Sequence, residues 1–190
     1  MSAWLGFDPT PYTPDEWIAH VMAIDPSKMA WEPKGVVLHA TGLPTLGQWV
    51  EMGPLHDARL HNLETMYQGM GWQHGPHAFV SRSHINGFSS LLARGTHDSC
   101  LNYTHFGIEQ AGNFNPGYDA YSTGDGALVR DSAMTAVAAL MVRFGLDPDA
   151  LVFHCECKAD GHSQCPGAFV SKADVIPRIK AEMARIKVLS

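Results

Sequence analysis

Residues 34 to 42, KGVVLHATG, hold a β-branched, apolar run bounded by Gly35 and Gly42. A run this short, with no polar alternation, predicts a buried strand. Such a strand belongs in a sheet covered on both faces. The rest of the chain supplies partners and cover. THFGIEQAG (104–112) and ALVFHCE (150–156) are further strands, and PHAFVSRSHINGFSSLLAR (76–94) reads as two strands around a turn near Asn86-Gly87. YTPDEWIAHVMAI opens a helix with Thr13 as N-cap, Pro14 at the first helical position and Glu16 completing a capping box. Residues 46 to 70 form a helical region interrupted at Gly53-Pro54. ALVRDSAMTAVAALMVRFG is the strongest helix, ended by Gly145, and ADVIPRIKAEMARIKVL is an amphipathic helix with a kink expected at Pro177. Between them GNFNPGYDAYSTGDG (112–126) is a long loop. The expected fold class is therefore α/β: one domain over 1–190, with a central mixed β-sheet flanked by helices.

Composition narrows the function. A net charge of −6 leaves no electrostatic footprint for nucleic acid or an anionic membrane surface. No apolar run approaches the roughly 18 residues of a membrane helix. The N-terminal stretch lacks the basic and apolar regions of a secretory signal, which leads to the expectation of a cytoplasmically made protein. Four cysteines in such a chain are expected to be thiols or ligands, not a disulfide framework.

The stretch FHCECKADGHSQCPG (153–167) concentrates three of the four cysteines and two of the eleven histidines, a density that points to metal. Two arrangements are open. Cys155, Cys157, His162 and Cys165 would make a closed, structural zinc site. His39 and His154, each at the end of an apolar strand, would with Cys165 make an open three-ligand site with a position left for water. Strand alternation tilts the choice towards the second. It sends Cys155 and Cys157 to the face opposite His154, where they would be free buried thiols. In HFGIEQAG the same alternation puts His105, Gly107 and Glu109 on one face and Phe106 and Ile108 on the other. Gly107 leaves room beside Glu109 for a ligand. A carboxylate in an otherwise apolar strand is costly unless it is paired, by Arg82 or Arg94 for instance, or functional.

VVLHATG, THDSCLNYTHFGIEQAGNF and VFHCE followed by CPG occur in the order and context of the type 2 N-acetylmuramoyl-L-alanine amidases, and the chain resembles that family from about residue 35 to 167. The family includes phage endolysins, muropeptide amidases and peptidoglycan recognition proteins. The resemblance implies that His39, His154 and Cys165 are zinc ligands, with the zinc site at the strand ends. It implies that Glu109 activates the hydrolytic water. His97 matches a histidine in the substrate groove, and Asn102 a nearby asparagine that orders its loop and belongs to the substrate-binding side. Ser163 stands where the family has Lys or Thr, a position that holds the substrate carbonyl or its oxyanion. His162 and Lys158 are alternatives for that role. Trp72 and Phe114 are candidates for stacking on sugar.

The implied function is zinc-dependent hydrolysis of the amide between N-acetylmuramic acid and L-alanine, with peptidoglycan or muropeptide as partner and Zn²⁺ as cofactor. An endolysin that reaches the wall by holin-type release is the leading role. A cytoplasmic recycling amidase and a non-catalytic peptidoglycan-binding module are the alternatives. Neither nucleic-acid binding nor membrane insertion is expected.

Overall fold

The structure is a computed structural model that describes residues 9–51, 53–161 and 164–189. Six strands form one mixed sheet: β1 (Pro11–Tyr12), β2 (Gly35–Ala40), β3 (Ala78–Val80), β4 (Ile85–Gly87), β5 (His105–Gln110) and β6 (Val152–Phe153), in the order β1-β4-β3-β5-β2-β6. Strand β2 lies between β5 and β6 and runs parallel to both, and β3 is parallel to β5. The antiparallel pairs β3–β4 and β1–β4 finish one side. The continuous apolar run of β2 follows from its central place, with both faces buried.

Helices cover both faces. On one, α1 (Pro14–Met22), α3 (Gly124–Phe144) and α4 (Lys172–Leu189) share a core with Val36, Leu38, Ala78, Val80, Phe106 and Ile108 of the strands. Thr13 and Glu16 form the expected capping box of α1. Helix α3 ends at Gly145 in the left-handed region (φ 65°), where a side chain would be strained. It is buried nearly all round because it lies between the sheet, α1 and α4. Helix α4 runs through Pro177 and buries Val175, Ile179, Met183 and Ile186 at three- and four-residue spacing. On the other face α2 (Pro54–Gly69) packs Leu60 with Trp49, Phe79 and Phe88. No helix among the described residues is long and apolar enough to cross a membrane.

Two local expectations are corrected. The chain reverses at 81–84, not at Asn86-Gly87, because Ser81 N–H donates to the His84 carbonyl (2.8 Å) and Glu51 accepts from both the Ser81 hydroxyl and Arg82. Asn86 lies inside β4, buried, and donates to the Phe79 carbonyl. Strand β6 ends at Phe153, and a 3-10 turn covers His154–Glu156. Strand alternation therefore does not govern Cys155 and Cys157.

Candidate metal centre

Parallel strands β5, β2 and β6 bring their C-terminal ends to one rim of the sheet, where side chains leave the core and meet the loops. His39, next to last in β2, is in register with Glu109, next to last in β5, and both face away from the α3 core. His154 follows the last residue of β6. The loop after it returns to the same rim: Cys155 N–H donates to the Cys165 carbonyl (2.9 Å), and Ala40 N–H donates to Cys165 Sγ (3.4 Å).

The result is a convergence of donor atoms. His39 Nδ1 and His154 Nδ1 lie 3.0 Å apart, and with Cys165 Sγ all three donors fall within 4.8 Å of one another. Tetrahedral zinc, with ligand bonds of about 2.0–2.3 Å, sets its donors roughly 3.3–3.7 Å apart. Glu109 Oε1 stands 3.8 Å from His39 Nδ1, while Oε2 is buried with no hydrogen-bond partner among the described residues. Two imidazoles and one thiol form a donor set that fits a zinc ion, with the Glu109 carboxyl beside it.

Electrostatics agree. Burial pushes the Glu109 carboxyl up to about 8, and burial followed by the Glu109 charge pushes the Cys165 thiol up. Neither Arg82 nor Arg94 compensates: Arg82 pairs with Glu51 and Asp125, and Arg94 lies over the Tyr103 ring. Burial thus holds both acids protonated in a low-dielectric pocket, and a divalent cation bound there would favour their ionised, ligating forms.

A cleft of about 550 Å³ opens over these residues, and His39, Glu109, His154 and Cys165 line it. Tyr67 and Trp72 stack on one another in its wall (centroids 5.1 Å), which presents an aromatic surface. Phe114 also borders the cleft but is fully buried and packs edge-on against Tyr121, so it belongs to the core.

His97 also reaches the cleft lining, yet it is only 8% exposed. Its ring occupies the space that Gly107 leaves: a Cβ at 107 would come within 2.4 Å of two ring carbons. The gap beside Glu109, expected to admit a ligand, is filled by this imidazole. Its Nδ1 lies 3.1 Å from His39 Nε2 and its Nε2 3.0 Å from the His105 carbonyl. Burial lowers its pKa to about 3, so the ring is neutral. Asn102 does not line the cleft. Its Oδ1 accepts from the backbone N–H of His97 (2.7 Å) and of Asp98 (2.8 Å), which orders the loop that carries His97.

The expectation of four thiols or ligands is corrected by a disulfide between Cys100 and Cys157. Cys155 and Cys165 are the free cysteines. The disulfide ties the His97 loop to the turn after His154, and it removes Cys157 from any closed four-ligand site. The cysteines are far apart in sequence, so spacing offered no signal for this pairing. Lys158 is exposed and outside the cleft lining. Ser163 and His162 lie outside the described residues.

No family model matches the sequence, and no curated protein matches it. Solved structures do match in fold. The endolysin N-acetylmuramoyl-L-alanine amidase LysCS from Clostridium intestinale is 20% identical, with a TM-score of 0.57 over 79% of this chain and 85% of its own. A single-residue variant of Drosophila PGRP-LB in complex with tracheal cytotoxin is 15% identical, with a TM-score of 0.57 over 87% and 85%. The hydrolase AmiA from Staphylococcus aureus, in complex with its ligand, is 14% identical, with a TM-score of 0.56 over 83% and 75%. The fold is the one shared by N-acetylmuramoyl-L-alanine amidases, endolysins and peptidoglycan recognition proteins.

Proposed function

We propose that this protein is a zinc-dependent N-acetylmuramoyl-L-alanine amidase that cleaves the amide between N-acetylmuramic acid and L-alanine in peptidoglycan. One observation carries the proposal: His39 Nδ1, His154 Nδ1 and Cys165 Sγ converge beside Glu109, whose Oε2 has no hydrogen-bond partner among the described residues, on a cleft in a fold shared with such amidases. Three protein donors leave a coordination position for water, whereas a pure binding module has no use for the set.

His39, His154 and Cys165 would hold the ion. Zinc, when bound there, lowers the pKa of water to about 7 and acts as a Lewis acid on the scissile carbonyl. Glu109 takes the proton of the attacking water at its carboxylate and delivers it to the departing nitrogen of L-alanine, acting as general base and then general acid. Trp72 and Tyr67 offer an apolar face for the glycan. On sequence alone, Ser163 is assigned to the oxyanion.

The Cys100–Cys157 disulfide bears on where the enzyme works. Disulfides persist outside the reducing cytoplasm. The pairing therefore supports a wall-side role, as in an endolysin, over cytoplasmic recycling of soluble muropeptides.

The test is digestion of purified peptidoglycan, read by mass spectrometry. Peptides with a free L-alanine amine and peptide-free N-acetylmuramic acid should be released, should vanish with chelator and should return with zinc. Undiminished release by a verified metal-free sample, or cleavage at another bond, contradicts the proposal.

A further inference from the structure

We infer that His97 is a positioning residue for the metal centre: it fixes the tautomer and ring orientation of His39 through a hydrogen bond to His39 Nε2. The inference rests on the zinc reading of the site and concerns a residue that touches neither the ion nor the reacting atoms.

Hydrogen bonds link His105, His97 and His39 in a chain. The His105 carbonyl can only accept, so His97 Nε2, 3.0 Å away, carries the proton. A neutral His39 that ligates through Nδ1 carries its proton on Nε2, so His97 Nδ1 is the acceptor. It faces His39 Nε2 at 3.1 Å, so His39 Nε2 donates. That leaves the lone pair of His39 on Nδ1, the nitrogen aimed at His154 Nδ1 and Glu109. A metal-binding imidazole is held this way when its second nitrogen donates to a fixed acceptor, which aligns the ring and raises its basicity.

Three independent features seat His97 for this task. Gly107 removes the side chain that would collide with the ring, a Cβ there coming within 2.4 Å of Cγ and Cδ2. Asn102 holds the His97 and Asp98 backbone N–H groups on one oxygen. Cys100, three residues on, is bonded to Cys157, three residues after the ligand His154. The rings of His39 and His97 stand nearly perpendicular (87°), an arrangement suited to the in-plane hydrogen bond and not to stacking.

The experiment compares wild type with His97→Ala and His97→Asn, because an Asn Oδ1 can accept where Nδ1 does. Zinc dissociation constants are measured by competition with a chromophoric chelator, and cobalt(II) replaces zinc to report ligand geometry by its visible bands. His97→Ala should weaken zinc binding about 10- to 100-fold and shift the cobalt bands. His97→Asn should recover most of both. Wild-type affinity and cobalt bands in His97→Ala would overturn the inference, as would an Asn variant no better than Ala. Long-range ¹H–¹⁵N spectra of wild type need no variant and no zinc: both His39 and His97 should be protonated on Nε2, and a proton on Nδ1 of either would refute the chain. Failure of zinc to bind wild type would instead refute the proposed function, so the two failures are distinguishable.

Discussion

At the scale of single residues, the proposed hydrolysis rests on Glu109. It is 14% exposed, faces the cleft, and no described residue satisfies Oε2. A structural carboxylate would be paired. Replacing it with glutamine keeps the shape and removes the ability to take a proton. Glu109→Gln should therefore retain zinc and fold while losing about 10²- to 10⁴-fold in turnover, read as the initial rate of stem-peptide release with zinc content measured in parallel. A variant that cleaves at near wild-type rate would make Glu109 structural. The places of His39 and Glu109 near the ends of apolar strands were legible in the sequence, because period-two alternation shows which way each faces, whereas their roles were implied only by the family resemblance. The positioning role inferred for His97 was not legible, since the resemblance assigned that residue to the substrate groove. It depends on Gly107, ten residues later, presenting a gap across space to a ring held on a loop.

Among elements, the strands that bear the site were legible and the segments between them were not. GVVLHA and HFGIEQ occupy β2 and β5 because short apolar runs without helical periodicity have no other stable place. The hairpin turn was misplaced because Asn-Gly is a strong local turn signal, whereas here Glu51, about thirty residues away in sequence, clamps the earlier turn. The Cys100–Cys157 pairing lies beyond local pattern for the same reason, since it joins loops 57 residues apart. Closing a loop of that length reduces the entropy of the unfolded chain, a stabilisation of about 4 kcal/mol on the chain-entropy view. Cys100→Ser should thus lower the denaturation midpoint, and a phosphine reductant should bring wild type to the same value. Cys155→Ser, which breaks no crosslink, should change it little. A wild-type midpoint indifferent to reductant would show that the disulfide does not form.

For the whole molecule, the alternation of strands and helices foretold a mixed sheet covered on both faces, and the structure has that form. The strand order could not be read, because parallel pairing is non-local and leaves no mark in neighbouring residues. The order is nonetheless what makes a site: with β2 between β5 and β6, residues 39, 109 and 154 reach one rim, and the loop from His154 returns Cys165 to it. Which cysteine binds metal is therefore the sharpest test of the proposed centre. Zinc stoichiometry and release of L-alanine-terminated peptide should be measured on the same samples of wild type, Cys155→Ser and Cys165→Ser. Wild type and Cys155→Ser should hold about one zinc per chain and release peptide at similar rates. Cys165→Ser should lose both, because a neutral hydroxyl is a poor ligand where a thiolate is a good one. Full zinc and activity in Cys165→Ser, with both lost from Cys155→Ser, would contradict the account.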